Sequence, residues 1–267
     1  MMIAPHPQPA AQLYEPRPSP SPPPRRTRER AYNPPRVHGT TATCPEVQVA
    51  KAQTRAASVR KVFCVTVLMR MKLILASTSP RRAEILRNAG FVFEVFPTNT
   101  DETRQPDEAA EDYVRRIAQA KAHAARQQLR APGEPVIVIA ADTVVSAQGR
   151  ILTKPQDAAD ARRMLRMMSG KSHEILTGVA ILRLPDGAEA VHIERTRVEL
   201  LPISDDEIES YLGTGESFDK AGAYGIQGIA GRFVAKIDGC YFNVMGLPLS
   251  RVWRVIRALG WRDPIAE

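Results

Sequence analysis

The chain has 267 residues, 37 Lys+Arg against 29 Asp+Glu and a formal net charge of +8. Residues 1–70 carry 11 of those cations and 3 of the acids, which leaves 26 of each for residues 71–267 and a neutral balance there. A neutral C-terminal part argues against nucleic-acid binding by that part. The lack of any run of about 18 apolar residues argues against a transmembrane helix, and Cys44, Cys64 and Cys240, with no metal or redox spacing, fit a reducing cytoplasmic compartment.

Residues 1–36 are rich in Pro and Arg and too poor in apolar residues to offset the entropy of ordering, which predicts disorder with polyproline II character. Residues 37–60 are weakly patterned, and residues 61–70 (KVFCVTVLMR) are apolar enough for a short strand. Three readings of the extension stand: a basic tail that binds nucleic acid or a partner, an Arg-rich targeting peptide, or an artefact of a start codon set upstream of Met71. We expect the artefact or a dispensable tail, then one domain over residues 71–262 and a short tail over 263–267.

The domain opens with KLILASTSPRRAEIL, residues 72–86. Leu73, Ile74 and Leu75 predict a strand buried on both faces. Pro80 marks the first turn of a helix, Ser79 is its N-cap, and Asn88-Ala89-Gly90 its stop. Arg81 and Arg82 stand in that first turn, where the helix end already carries partial positive charge, so an anion belongs there. Free backbone N–H groups, the Ser77 and Ser79 hydroxyls and two guanidiniums would converge on a phosphate. The bland alternative is a solvated helix start. No GxxxxGK[ST] is present, which disfavours P-loop chemistry.

Phe91 to Phe96 reads as a strand, Pro97 to Thr103 as a loop carrying Asp101 and Glu102, and Pro106 to about Leu129 as a helix with Lys121 near its end. Val136 to Ala140 predicts a buried strand ending at Ala141-Asp142-Thr143, with Val144-Val145 as a separate apolar pair. A carboxylate at a strand end is where open α/β sheets place their chemistry. A helix follows over Gln156 to Met168, with Ala158, Ala161, Leu165 and Met168 inward. Two long strands, His173–Leu184 and Ala190–Leu201, join at Pro185-Asp186-Gly187. Ser204 opens a capping box for a helix over 205–212. Residues 213–231 form a glycine-rich loop, Phe233–Ile237 a strand, and Gly246-Leu247-Pro248 opens a last helix to about Leu259.

Each polar group alone has a plain alternative: Asp142 as a turn residue, Asp101 and Glu102 as loop charge, Lys121 and Lys154 as solvated cations. Together they suit one task. A triphosphate needs several cations (Arg81, Arg82, Lys121, Lys154, Lys220), a divalent metal needs hard oxygens such as Asp142 and Glu102, and water attack needs a carboxylate within reach. No HExxH, Cys/His set or GxSxG supports a zinc enzyme or serine hydrolase.

The segments LILASTSPRRAEIL, TDE (100–102), ADTVV (141–145), LTKP (152–155), MSGKSHEILTGVA (168–180), GESFDKAGAYGIQGIAG (215–231) and NVMGLPL (243–249) resemble, in order, the Maf family of nucleoside triphosphate pyrophosphatases. The resemblance spans about residues 72–260. It implies an α/β fold with a mixed central sheet flanked by helices, elongated and two-lobed like inosine triphosphatases, with a central cleft. It implies cleavage of a nucleoside triphosphate to monophosphate and pyrophosphate with a divalent cation (Mg, Mn or Co), and leaves a homodimer open. By motif position Asp142 resembles the proton acceptor, Glu102 with Asp142 the metal ligands, and Ser77, Ser79, Arg82, Lys121, Lys154 and Lys220 the phosphate-binding set. Arg81, Thr143 and Gln227 resemble the specificity trio of dTTP/UTP pyrophosphatases, whereas 7-methyl-GTP relatives carry Trp, Gln and Glu. A septum-formation regulator acting through protein partners is the rival reading.

Overall fold

The computed structural model describes residues 71–129 and 133–262. The expectations for residues 1–70 and 263–267 fall outside the described residues. Element order is β1 (Lys72–Leu75), α1 (Pro80–Asn88), β2 (Glu94–Val95), α2 (Ala110–Leu129), β3 (Val136–Ala147), β4 (Arg150–Leu152), α3 (Ala158–Met168), β5 (Ser172–Leu184), β6 (Glu189–Leu200), α4 (Asp205–Leu212), β7 (Val234–Asp238), α5 (Tyr241–Val244) and α6 (Leu249–Ala258). Two 3-10 turns, Ala221–Ala223 and Ile229–Phe233, lie in the glycine-rich loop.

The strands form one seven-stranded mixed sheet in the order β2-β1-β3-β5-β6-β7, with β4 pairing the far end of β3. β1 runs parallel to β2 and β3, and the remaining pairs are antiparallel. This is the mixed α/β architecture expected from the sequence. Side chains alternate across the sheet, so successive β3 residues feed different layers. Val136, Val138 and Ala140 pack under α2 with Ala118 and Ala122. Ile137, Ile139 and Ala141 pack with Ile85 and Leu86 of α1 and with Val252 and Ile256 of α6. Further along, Val145 and Ala147 join Leu165 and Met168 of α3 and Ile208 and Tyr211 of α4. Each such aliphatic side chain contributes roughly 1.5–3 kcal/mol by leaving water.

Several local expectations need correction. The strand expected over Phe91–Phe96 is only Glu94–Val95, because β1 offers it just two partners, Ile74 and Leu75. The second helix starts at Ala110 rather than Pro106, after Asp107 with φ 55°, a left-handed conformation no helix accepts. Val136–Ala140 and Val144-Val145 are not separate: β3 is continuous through Asp142, paired with β5 along its length. Ala158 is exposed, and Met164 takes the inward place on α3. The four-residue α5 escaped notice because one turn has no periodicity to read. Ser79 is the N-cap of α1 but makes no capping bond with its side chain; its own N–H donates to Ser77 Oγ at 3.2 Å. The Ser204 capping box and helix Asp205–Leu212 form as expected.

The glycine-rich loop is tied to the sheet at a buried pair. His173 of β5, 3% exposed, meets Tyr224 with Nε2 2.7 Å from the phenol oxygen. Burial lowers the imidazole pKa from 6.5 to about 4. The unfolded chain takes up a proton near pH 6.5 that the folded chain refuses until about pH 4, so this group's stability is fully present above pH 6.5 and is lost as pH falls toward 4. Urea unfolding across that window should show wild type losing on the order of 3 kcal/mol more than His173→Phe. Equal pH slopes for the two proteins would contradict the burial argument.

Candidate active site

β1 ends at Leu75 opposite Ile139, and β4 begins pairing at Val145. Between them one edge of β3 has no strand beside it among the described residues, and here Asp142 and Thr143 stand. A cavity of about 570 Å³ opens at this gap, within the usual range for a small-molecule site. Its lining includes Ser77, Ser79, Arg81, Arg82, Glu102, Lys121, Asp142, Thr143, Lys154, Lys220 and Gln227, whereas Asp101, beside Glu102 in sequence, does not line it.

Asp142 and Thr143 point to opposite faces of the sheet, so they meet different partners. On the α2 face Lys121 Nζ lies 2.8 Å from Asp142 Oδ1 and 2.7 Å from Glu102 Oε1. Lys121 and Asp142 are both buried, while the Glu102 side chain is about half exposed. One ammonium thus joins a helix, a strand and a loop. Tyr113, about two turns before Lys121 on α2, donates its hydroxyl to the Glu102 carbonyl at 2.9 Å and fixes that loop. Burial, aided by the charges of Asp142 and Glu102, pushes its phenol up to about 12 and keeps it a donor.

The approach of α2 depends on Gly178, which sits directly across β5 from Asp142. A Cβ there would lie 2.3 Å from the Val114 carbonyl oxygen, well inside van der Waals contact. Any side chain at 178 therefore displaces the helix that carries Lys121.

On the other face lies Arg82, 8% exposed. Its Nε donates to the Gly246 carbonyl at 2.8 Å, Nη1 to Ser77 Oγ at 3.2 Å and Nη2 to Thr143 Oγ1 at 3.0 Å. Thr143 Oγ1 in turn lies 2.9 Å from Thr177 Oγ1. None of these partners is a carboxylate. Burial lowers the guanidinium pKa, and the charge of Asp142 opposes that shift without touching it. A buried cation held only by neutral oxygens at a helix start is one whose charge an arriving anion would neutralise.

The glycine-rich loop forms the third wall. Glu216 holds it: Oε2 accepts the Ile229 N–H at 2.9 Å, Oε1 accepts the Tyr211 hydroxyl at 3.2 Å, and the Glu216 carbonyl accepts from Lys220 Nζ. A Cβ at Gly228 would stand 2.2 Å from Glu216 Oε1 and would have to push that carboxylate off these contacts. Gln227 is exposed at the mouth, and Lys154 is likewise exposed. Lys220 is drawn back to Glu216 and Asp219 rather than extending alone. The sequence places Tyr113 on the apolar face of its helix and Asp219 and Tyr224 in the DKAGAYGIQG loop without giving them roles, and nothing in it singles out Thr177. Gly178 did carry a signal, since glycine inside a strand marks a close backbone approach.

The cleft thus places five cations against Glu102, Asp142 and Asp219, an arrangement suited to a polyanionic ligand handled by a fixed carboxylate. The sheet, the cleft and these residues define an α/β protein with a cation-rich cleft at an interrupted edge of its sheet. The Maf-like protein family matches residues 72–259, and the chain belongs to it. Among its relatives are proteins named dTTP/UTP pyrophosphatase. One from Koribacter versatilis is 49% identical over 190 residues, covering 71% of this chain and 95% of its own. One from an Anaeromyxobacter species is 46% identical, covering 72% and 91%, and one from Carboxydothermus hydrogenoformans is 44% identical, covering 72% and 100%. Among solved structures, a nucleoside-triphosphatase (dITP/XTP pyrophosphatase) from Mycobacterium abscessus aligns at 20% identity over 49% of this chain and 73% of its own, with a TM-score of 0.28, too slight a likeness to build on.

Gly178→Ala should lower the thermal midpoint by an amount equivalent to about 1–3 kcal/mol, because α2 must shift by the width of the clash. An unchanged melting curve would show that the helix does not depend on this glycine.

Proposed function

We propose that the chain hydrolyses nucleoside triphosphates to the monophosphate and pyrophosphate, with dTTP and UTP preferred. The observation that carries this reading is the buried Arg82, whose guanidinium has three neutral partners and no carboxylate among the described residues. The names of the relatives support the nucleotide and the pyrimidine preference, and do not favour a 7-methyl-GTP pyrophosphatase or a division regulator.

In this reading Arg82, Ser77, Ser79 and the start of α1 hold the phosphates, with Lys154 at the rim, while Lys220, expected in this set, is turned onto Glu216 and Asp219 instead. Asp142 takes the proton of the attacking water, and Lys121 fixes the orientation of that carboxylate by bridging it to Glu102. A divalent cation (Mg²⁺, Mn²⁺ or Co²⁺) fits the donor set. Asp142 and Glu102 supply hard oxygens, and no cluster of three or more His, Cys, Asp or Glu occurs among the described residues, so phosphate oxygens and water would complete the shell as Mg²⁺ prefers. When bound, the metal supplies charge neutralisation at the phosphates. For the base, Gln227 can donate to a carbonyl and accept from N3–H of thymine or uracil at once, which a glutamate cannot do when ionised.

The enzyme class is a nucleotide diphosphatase acting on a phosphoric anhydride. The working domain is residues 71–262. No helix among the described residues is long and apolar enough to cross a membrane. A cytoplasmic location and a homodimer complete the reading; cell fractionation and sedimentation test them.

A nucleotide panel tests the function: kcat/KM for dTTP and UTP should exceed that for purine and 7-methyl-GTP substrates by at least about 100-fold. A preference for 7-methyl-GTP would contradict the reading. Asp142→Asn should fold normally and lose on the order of 10²–10⁴-fold in kcat. Arg82→Ala should cost more in kcat/KM than Arg82→Lys, because an ammonium replaces a guanidinium fork only in part. A chain beginning at Met71 should fold and hydrolyse dTTP as the full chain does; an insoluble or inactive product would assign residues 61–70 to the core.

A further inference from the structure

Arg81 is held across the mouth of the cleft by a residue 138 positions away. Its Nη1 donates to Asp219 Oδ2 at 2.7 Å and its Nη2 to the Asp219 carbonyl at 3.1 Å. The other carboxylate oxygen of Asp219 accepts from Lys220 Nζ at 2.7 Å, and that ammonium also reaches the Glu216 carbonyl. A single aspartate therefore ties the first turn of α1 to the glycine-rich loop. The Arg81 side chain is 20% exposed and that of Asp219 56%, so the guanidinium lies in the cleft wall and the carboxylate at its rim.

The chemistry of a guanidinium gives this clamp a purpose. Arg81 has five N–H donors in a fixed plane. Two are committed to Asp219, which sets the rotation of the plane and leaves three donors with a defined direction. An unrestrained arginine beside a triphosphate would turn onto the phosphates, the strongest acceptors available. It would then say nothing about the base.

We propose that Asp219 is a specificity determinant of this site: a positioning residue that acts through Arg81, keeping its guanidinium off the phosphates and aimed at the carbonyl acceptors of the base. The inference rests on the nucleotide-hydrolysis reading above. Lys220 serves the same clamp by anchoring Asp219 to its own loop, which is why its ammonium is turned inward.

The test compares dTTP with dCTP, since cytosine replaces one carbonyl acceptor with an amino donor. The readout is the ratio of kcat/KM for the two nucleotides, measured on the full chain. Asp219→Ala should lower that ratio by about tenfold or more, chiefly through a higher KM for dTTP, with kcat changed by less than about threefold. Asp219→Glu should recover part of the ratio. Arg81→Ala should lower the ratio similarly, and the double variant Arg81→Ala/Asp219→Ala should be no worse than Arg81→Ala alone, as expected for residues acting as a unit. Asp219 is exposed enough that its replacement leaves the core untouched, and circular dichroism checks this. The proposal is overturned if Asp219→Ala leaves the ratio unchanged, if the two single effects add, or if Asp219→Ala lowers KM for every nucleotide alike, since Asp219 would then merely compete with phosphate for Arg81. A wild type that hydrolyses no nucleoside triphosphate would overturn the function reading itself, and this inference with it, and is told apart because no ratio then exists.

Discussion

Among the described residues, strand β3 has a strand beside it on one edge only between Ile139 and Val145, because β1 stops at Leu75 and β4 starts opposite Val145. The other features of the cleft follow from this interruption. A continuous strand must alternate its side chains, so Asp142 and Thr143 address opposite faces at the same point along the sheet. One face receives Lys121 from α2, the other Arg82 from α1. β5 supplies the backing on both: Gly178 opposite Asp142 lets α2 close in, and Thr177 opposite Thr143 reaches the hydroxyl that Arg82 also uses. Two short steps of sequence thereby gather groups that lie up to 164 residues apart, the separation of Arg82 and Gly246.

The two buried cations differ in how they are neutralised. Lys121 sits between two carboxylates and is compensated within the fold. Arg82 is compensated only by dipoles, through two hydroxyls and a carbonyl. Burying a charge without a counter-charge costs several kcal/mol, and a phosphate arriving at Arg82 recovers part of that cost. The cleft therefore holds a settled pair on one face and an unsettled cation on the other. In the proposed reading that asymmetry would divide the work between a carboxylate for water, Asp142, and a guanidinium for phosphate, Arg82.

Much of this was legible in the residues. The apolar runs at 73–75 and 136–140 mark the central strands, the Pro185-Asp186-Gly187 turn signal between two long stretches gives the long hairpin, and Ser204 with Glu207 fixes the start of α4. Arg81 and Arg82 stand out in the sequence because their charges are wrong for a bare helix end, and both line the cleft. What the sequence hid depends on contacts between distant segments. Asp142 looked like a strand end because Ala141, Asp142 and Thr143 interrupt the apolar pattern, yet β5 pairs straight through them. Lys220 looked like a free cation because nothing in its neighbours reveals that its ammonium folds back on Glu216 and Asp219. The Asp219–Arg81 clamp is likewise invisible until α1 and the glycine-rich loop are brought together.

The most direct measurement is the identity and ratio of the products formed from dTTP, followed by anion-exchange chromatography through a time course with a divalent cation present. The account predicts dTMP and pyrophosphate in equal amounts from the earliest point, with neither dTDP nor orthophosphate accumulating. Release of dTDP with orthophosphate would place the cleavage at the wrong anhydride and contradict the account.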